Sequence, residues 1–95
     1  MDFVSKKIEN CFSDAENYEY RIEAKGSELI KLFDSEAEWL HINDELRRPT
    51  FSARMKNGTQ LKGLLEKQII KVGFVSEDAT RQKKDFEQWL HKLMP

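Results

Sequence analysis

The side chains best suited to metal ligation or nucleophilic chemistry in this 95-residue sequence are two histidines, His41 and His91, and one cysteine, Cys11. His41 stands three and four residues before Asp44 and Glu45, a spacing that on a helix brings side chains together and could present two metal ligands. A structural zinc site takes four ligands and a catalytic one three, and no second histidine or cysteine completes the set. Cys11 shares the apolar positions Val4, Ile8, Phe12 and Ala15, where a thiol acts as a small buried hydrophobe rather than a nucleophile. No serine stands in a Gly-x-Ser-x-Gly or Ser-x-x-Lys pattern, and glycines 26, 58, 63 and 73 form no phosphate-binding loop. Carboxylate pairs such as Asp34 with Glu38, or Glu36 with Glu38, read as solvated acids of an acid-rich segment. The expectation is therefore a protein that is not an enzyme, with no catalytic residues, no cofactor and no metal.

A single cysteine excludes an intramolecular disulfide and points to a reducing, cytoplasmic setting. Apolar runs of two or three residues, as at Leu64-Leu65, fall far short of the roughly 20 that span a bilayer, so no membrane partner is expected. The opening Met1-Asp2-Phe3-Val4 lacks the pattern of a secretory signal.

Charge is the least ordinary feature. The net charge is −1, yet residues 1–46 hold twelve acids against five bases, and residues 47–73 hold seven bases against Glu66 alone. Such polarity favours recognition of a macromolecule over chemistry on a small one. Two surfaces follow. An acidic and aromatic one, from Glu19, Glu23, Glu36, Glu38 and Trp39, suits a basic protein partner. A basic one, from Arg47, Arg48, Arg54, Lys56 and Lys62, suits RNA or DNA, although the outward face of that segment shows no aromatic residue to stack a base. A body acidic on one side and basic on the other is also predisposed to form a homodimer.

Positioning these residues requires elements. The spacing of Val4, Ile8, Cys11, Phe12 and Ala15 predicts a helix over 2–13. Tyr18, Tyr20, Ile22 and Ala24 alternate with Glu19, Arg21 and Glu23, as in a half-buried strand. Leu29, Ile30, Phe33, Ala37 and Leu40 fit a helix face over 28–46, with Ser27 as cap and Ser35 with Glu38 as a restart; strands at 29–33 and 38–43 are the alternative. From Thr50 the pattern is β. A three-residue loop, Lys56-Asn57-Gly58 with Gly58 left-handed, pairs Phe51 with Gly63 and Ala53 with Leu61 and keeps both apolar sets on one face. Ile70, Val72 and Phe74 make a third strand, and Ser76 opens a last helix with Ala79, Phe86, Trp89, Leu90 and Leu93 buried and Lys83 and Lys84 in solvent.

The stretch Leu46-Arg47-Arg48 with Phe51 to Glu66, above all Lys56-Asn57-Gly58-Thr59-Gln60-Leu61-Lys62-Gly63, resembles the first Sm motif of the Sm and Hfq RNA-binding proteins. That resemblance covers about twenty residues and implies a basic hairpin that contacts RNA; downstream, a long helix stands where that family has further strands. The final strand and Trp-bearing helix look like the end of a pleckstrin-homology-like domain.

The expected fold is one α+β domain over 1–95, an antiparallel sheet of four or more strands with N-terminal, middle and C-terminal helices. Its core should hold Phe12, Tyr20, Ile22, Phe33, Phe51, Leu61, Leu65, Val72, Phe74, Phe86, Trp89 and Leu93. The expected function is non-catalytic binding of a macromolecule, as a regulatory protein of the inhibitor, immunity or adaptor type encoded by a bacterium or phage. Another protein is the first partner considered and nucleic acid the second.

Overall fold

Alternating side chains build a larger sheet than the sequence suggests. The computed structural model describes residues 2–9, 12, 15–33, 36–45 and 47–93. Its strands are β1 (Phe3–Ile8), β2 (Ala15–Ile22), β3 (Ala37–Asn43), β4 (Thr50–Met55), β5 (Gln60–Leu64) and β6 (Ile69–Val75), with a one-turn helix α1 (Gly26–Leu29) after β2 and a long helix α2 (Ala79–Leu93) after β6. They form one antiparallel sheet in the order β1-β2-β6-β5-β4-β3. The fold is thus α+β with a middle and a C-terminal helix. The expected N-terminal helix is absent.

The β4–β5 hairpin follows its sequence reading. Phe51 pairs with Gly63 and Ala53 with Leu61. The Met55 amide donates to the Thr59 carbonyl at 2.8 Å, closing a loop over Lys56-Asn57-Gly58. Gly58 has φ 96°, the left-handed conformation that a glycine adopts without the clash a Cβ brings. The next register sets Leu61 against Val72, so the buried face continues across β6.

Two helical expectations fail for identifiable reasons. Over 2–13, the three-four spacing of Val4 and Ile8 is overridden by pairing: β2 has a free edge, and β1 fills it with Phe3 opposite Ile22 and Ser5 opposite Tyr20. Val4, 71% exposed, is on an edge where apolar residues need not all face inward. Over 28–46, the helix stops after one turn with a 3-10 extension, Ile30–Leu32, and begins at Lys25 rather than Ser27. The chain then becomes β3, paired with β4. A register shift between Ala37 and Trp39 leaves Glu38 as an extra residue, so the core-facing Ala37 and Leu40 stand three apart and imitate a helical period. Cys11, Asp34, Ser35 and Leu46, and the side chain of Leu93, lie outside the described residues.

One side of the sheet carries the core. α2 lies over it and α1 closes the end near β5, where the Ser27 amide donates to the Leu65 carbonyl at 2.9 Å. Aromatic rings cross this layer in a chain: Phe86 meets Tyr20 edge-on at 5.2 Å, Trp89 follows at 5.7 Å, and Phe33 stacks on Trp89 at 5.2 Å with Phe51 beyond it. Such pairs contribute about 0.5–1.5 kcal/mol each beyond the area they bury. Leu29, Ile70, Leu90 and Met55 join this core, Leu65 and Trp89 are only half-buried, and Phe12 is not part of it.

Polar ties fix α2 against the sheet. Buried Gln82 accepts from the Val75 amide at 2.9 Å and donates to the Asn57 carbonyl at 2.8 Å, joining the helix to the end of β6 and to the hairpin loop. Tyr20 donates its hydroxyl to Glu87 at 2.7 Å, and Lys83 closes on the same carboxylate. Lys83 also lies 4.9 Å from the centre of the Tyr18 ring, so it is half-buried rather than solvated as its sequence position suggested. Burial, and then the Glu87 hydrogen bond, pushes the Tyr20 phenol far above its ordinary value.

Gln82→Ala strands the Asn57 carbonyl and the Val75 amide and is expected to cost about 1–3 kcal/mol, read as a fall in melting temperature. The folded chain keeps the Tyr20 proton at a pH where the unfolded chain, with a phenol near 10, releases it. That stabilisation is complete below about pH 10 and is lost as pH rises further. Melts above that pH should fall less steeply for Tyr20→Phe than for the native chain.

Candidate binding face

Strand alternation that aims Tyr20, Ile70, Leu61 and Phe51 at α2 aims their neighbours at the opposite side, which no helix of the chain covers. Cross-strand register orders that open face into rows. One runs Trp39, Arg54, Gln60, Gly73, Asn17 across β3, β4, β5, β6 and β2. The next runs His41, Ser52, Lys62, Lys71, Glu19, Lys6, crossing from β3 to β1. Successive rows stand about 6.7 Å apart and successive strands about 4.8 Å.

The second row contains an electrostatic conflict. Lys62 and Lys71 are directly opposite each other, an arrangement that destabilises a sheet. They and Lys67, in the β5–β6 turn, border a concavity of about 640 Å³ with Leu64 and Ile69 in its apolar floor and Thr50, Ser52 and His41 along its β4–β3 side. Among the described residues, none of the three lysines has a carboxylate within ion-pair distance. The nearest acid in the row, Glu19, is engaged by Lys6 at 3.4 Å.

Aromatic groups flank this basic strip, contrary to the expectation of none. Trp39, 46% exposed, ends the first row at the β3 edge, and exposed His41 ends the second. Phe12, between β1 and β2, lies over Gly73: a Cβ there would fall 2.6 Å from the ring. Buried Asn17 holds Phe12 in place, accepting from its amide at 3.1 Å and donating to its carbonyl at 3.3 Å. Lys62 reaches to 5.1 Å from the centre of the Phe12 ring, a cation–π distance.

The predicted site residues separate accordingly. Of the basic set, Lys62 lines the concavity. Exposed Arg47 and Arg48 lie in the β3–β4 connection, at the end of the sheet where the concavity opens, with Pro49 accepting from the Leu65 amide at 2.9 Å. Arg54 pairs with Glu38 at 3.6 Å, and Lys56 occupies the hairpin loop at the other end. The acidic set is not gathered. Glu19 and Glu23 belong to β2 and its end while Glu36, Glu38 and Trp39 belong to β3, with β6, β5 and β4 between them. Ion pairs Lys7–Glu16 at 3.6 Å and Lys6–Glu19 further mix the charges of the acidic half.

His41 and His91 stand on opposite sides of the sheet, His41 on the open face of β3 and His91 on α2, 5.0 Å from the Phe3 ring. In a strand, His41 loses the helical spacing to Asp44 and Glu45 on which a metal face depended. Among the described residues no three metal-ligating side chains gather. Lys71 was visible as the outward residue between Ile70 and Val72, but only the β5–β6 register reveals that it faces Lys62.

No protein-family model, curated protein or solved structure matches this chain. The Sm-like hairpin is present as β4–β5, but the chain opens with a strand, not the helix that precedes the motif in that family.

Gly73→Ala is expected to displace Phe12 and destabilise the protein by about 1–3 kcal/mol. The loss should shrink in a Phe12→Ala background, a coupling measurable by a double-mutant thermal cycle.

Proposed function

We propose that this chain is a non-catalytic binding protein that takes an anionic macromolecule on the open face of its sheet. The observation that carries this reading is the Lys62–Lys71 pair. Two cations set directly opposite one another, joined by Lys67 and left without carboxylates among the described residues, raise the energy of the free protein. An anion laid between them relieves that repulsion, so the binding reaction gains what the free fold gives up. The hydroxyls of Thr50 and Ser52 and the apolar floor add directional and non-polar contacts within the same hollow. A regulatory role, by blocking or bridging the bound macromolecule, fits a small fold with no chemistry of its own.

The acidic reading, a basic protein held by Glu19, Glu23, Glu36, Glu38 and Trp39, has less support, because those residues lie on separated strands and two of them are in ion pairs.

Retention on immobilised dextran sulfate tests the proposal. The native protein should elute at moderate salt, and Lys62→Glu with Lys71→Glu should flow through at low salt while melting at or above the native temperature. Equal retention of the two proteins would overturn the proposal.

A further inference from the structure

Resting on that reading, we infer that the anionic partner is a single strand of nucleic acid lying across β3, β4, β5 and β6, with its bases over the Trp39-to-Phe12 row and its phosphates along the Lys62 and Lys71 row. Three observations distinguish this ligand from other polyanions. First, the two rows are adjacent: aromatic groups flank the first, and cations occupy the second. The row spacing of about 6.7 Å separates ring from cation on the scale that separates a base from its own backbone. A sulfated or phosphorylated polymer without bases has no use for the aromatic row.

Second, the aromatic stations are built. Trp39 is held at the sheet edge with nearly half its surface in solvent, though burial would be favourable for a side chain of its size. Phe12 is seated by Gly73, which leaves room for the ring, and by buried Asn17, whose side chain bonds both its amide and its carbonyl. Three strand spacings, about 14 Å, separate the Trp39 and Gly73 positions, a gap that a few unpaired nucleotides bridge. Exposed His41 extends the stacking surface beside Trp39.

Third, the cations sit in a hollow, not on a projecting helix or arm. A duplex keeps its base faces stacked inside, and its grooves are read by elements that protrude into them. A concave sheet face with rings and lysines suits splayed bases, which stack on any aromatic surface with little regard to sequence. Lys62 lies near both rows, over the Phe12 ring and opposite Lys71, and so contacts base and phosphate together.

The experiment compares short oligothymidylate and oligouridylate with their duplexes, with polyphosphate of equal charge and with a polyglutamate peptide, by fluorescence anisotropy. Single strands should bind most tightly. Three phosphate contacts predict a log–log salt slope of about −2, an affinity loss of about 16-fold from 50 to 200 mM salt, and Lys62→Ala with Lys71→Ala should reduce the slope to about −0.7. Trp39→Ala should weaken single-strand binding about tenfold and leave polyphosphate binding unchanged. Should Trp39→Ala fold poorly, Trp39→Phe keeps a stacking ring: it should retain the affinity and lose most of the ligand-induced fluorescence quenching, since Trp89 stacks internally on Phe33. Polyphosphate or polyglutamate binding as tightly as the oligonucleotides, or duplexes binding more tightly, overturns the nucleic-acid inference and leaves the anion-binding face standing. No binding of any polyanion overturns both.

Discussion

A sheet has two faces, and this chain has one long helix with which to cover them. α2, with the aromatic chain from Tyr20 through Phe86 and Trp89 to Phe33, closes one side, and its Gln82 and Glu87 hydrogen bonds hold it there. The remaining face must be tolerable to water. Its residues are accordingly lysine, serine, threonine, asparagine and glutamine, with apolar side chains confined to a shallow floor. Everything inferred about function starts from this division, because a second helix over the open face would have buried the same positions.

Within that face, local stability and recognition pull in opposite directions. Elsewhere on the sheet, opposite charges are brought together, as in Lys6 with Glu19 and Arg54 with Glu38. Exposed pairs of this sort contribute at most about 1 kcal/mol, but they show that the sheet has acids near its bases in several places. Lys62 and Lys71 are an exception, since the register that buries Leu61 against Val72 forces them opposite each other. The core sets that register, and the lysines bear its consequence. Like charges enforced by a packed core form a preorganised site, since no reorganisation is needed when an anion arrives.

The parts of the fold legible in the sequence are those whose decisive contacts are close along the chain. Phe51, Ala53, Leu61 and Gly63 lie on either side of one loop, so the alternation and the Gly58 turn leave one register that puts all apolar residues on a single face. α2 was legible because its buried stripe repeats over four turns. β1 and β3 were not. Both are edge strands, each paired on one side only, and edge strands are half-free to place apolar residues outward, as Val4, Trp39 and Ile42 do. In β3 the bulge at Glu38 then turned a strand period into a helical one. For the site, lysine content was visible while its partners were not: Arg54 looked available but is paired, and Lys71 looked peripheral but is central.

By itself, then, the sequence determined the class, the β4–β5 register, the last helix and the accumulation of positive charge in residues 47–73, each through interactions spanning a few residues. Tertiary structure decided which of those charges meet. Pairing β6 between β2 and β5 sets Tyr18 opposite Val72 and Lys62 opposite Lys71, and the choice among possible partners for a strand depends on burying a whole face at once. It also placed Phe12 on the open side, because the residue before a strand points wherever a gap such as Gly73 admits it. Neighbourhood along the chain and neighbourhood in a sheet are different quantities, and only the second determines what a ligand meets.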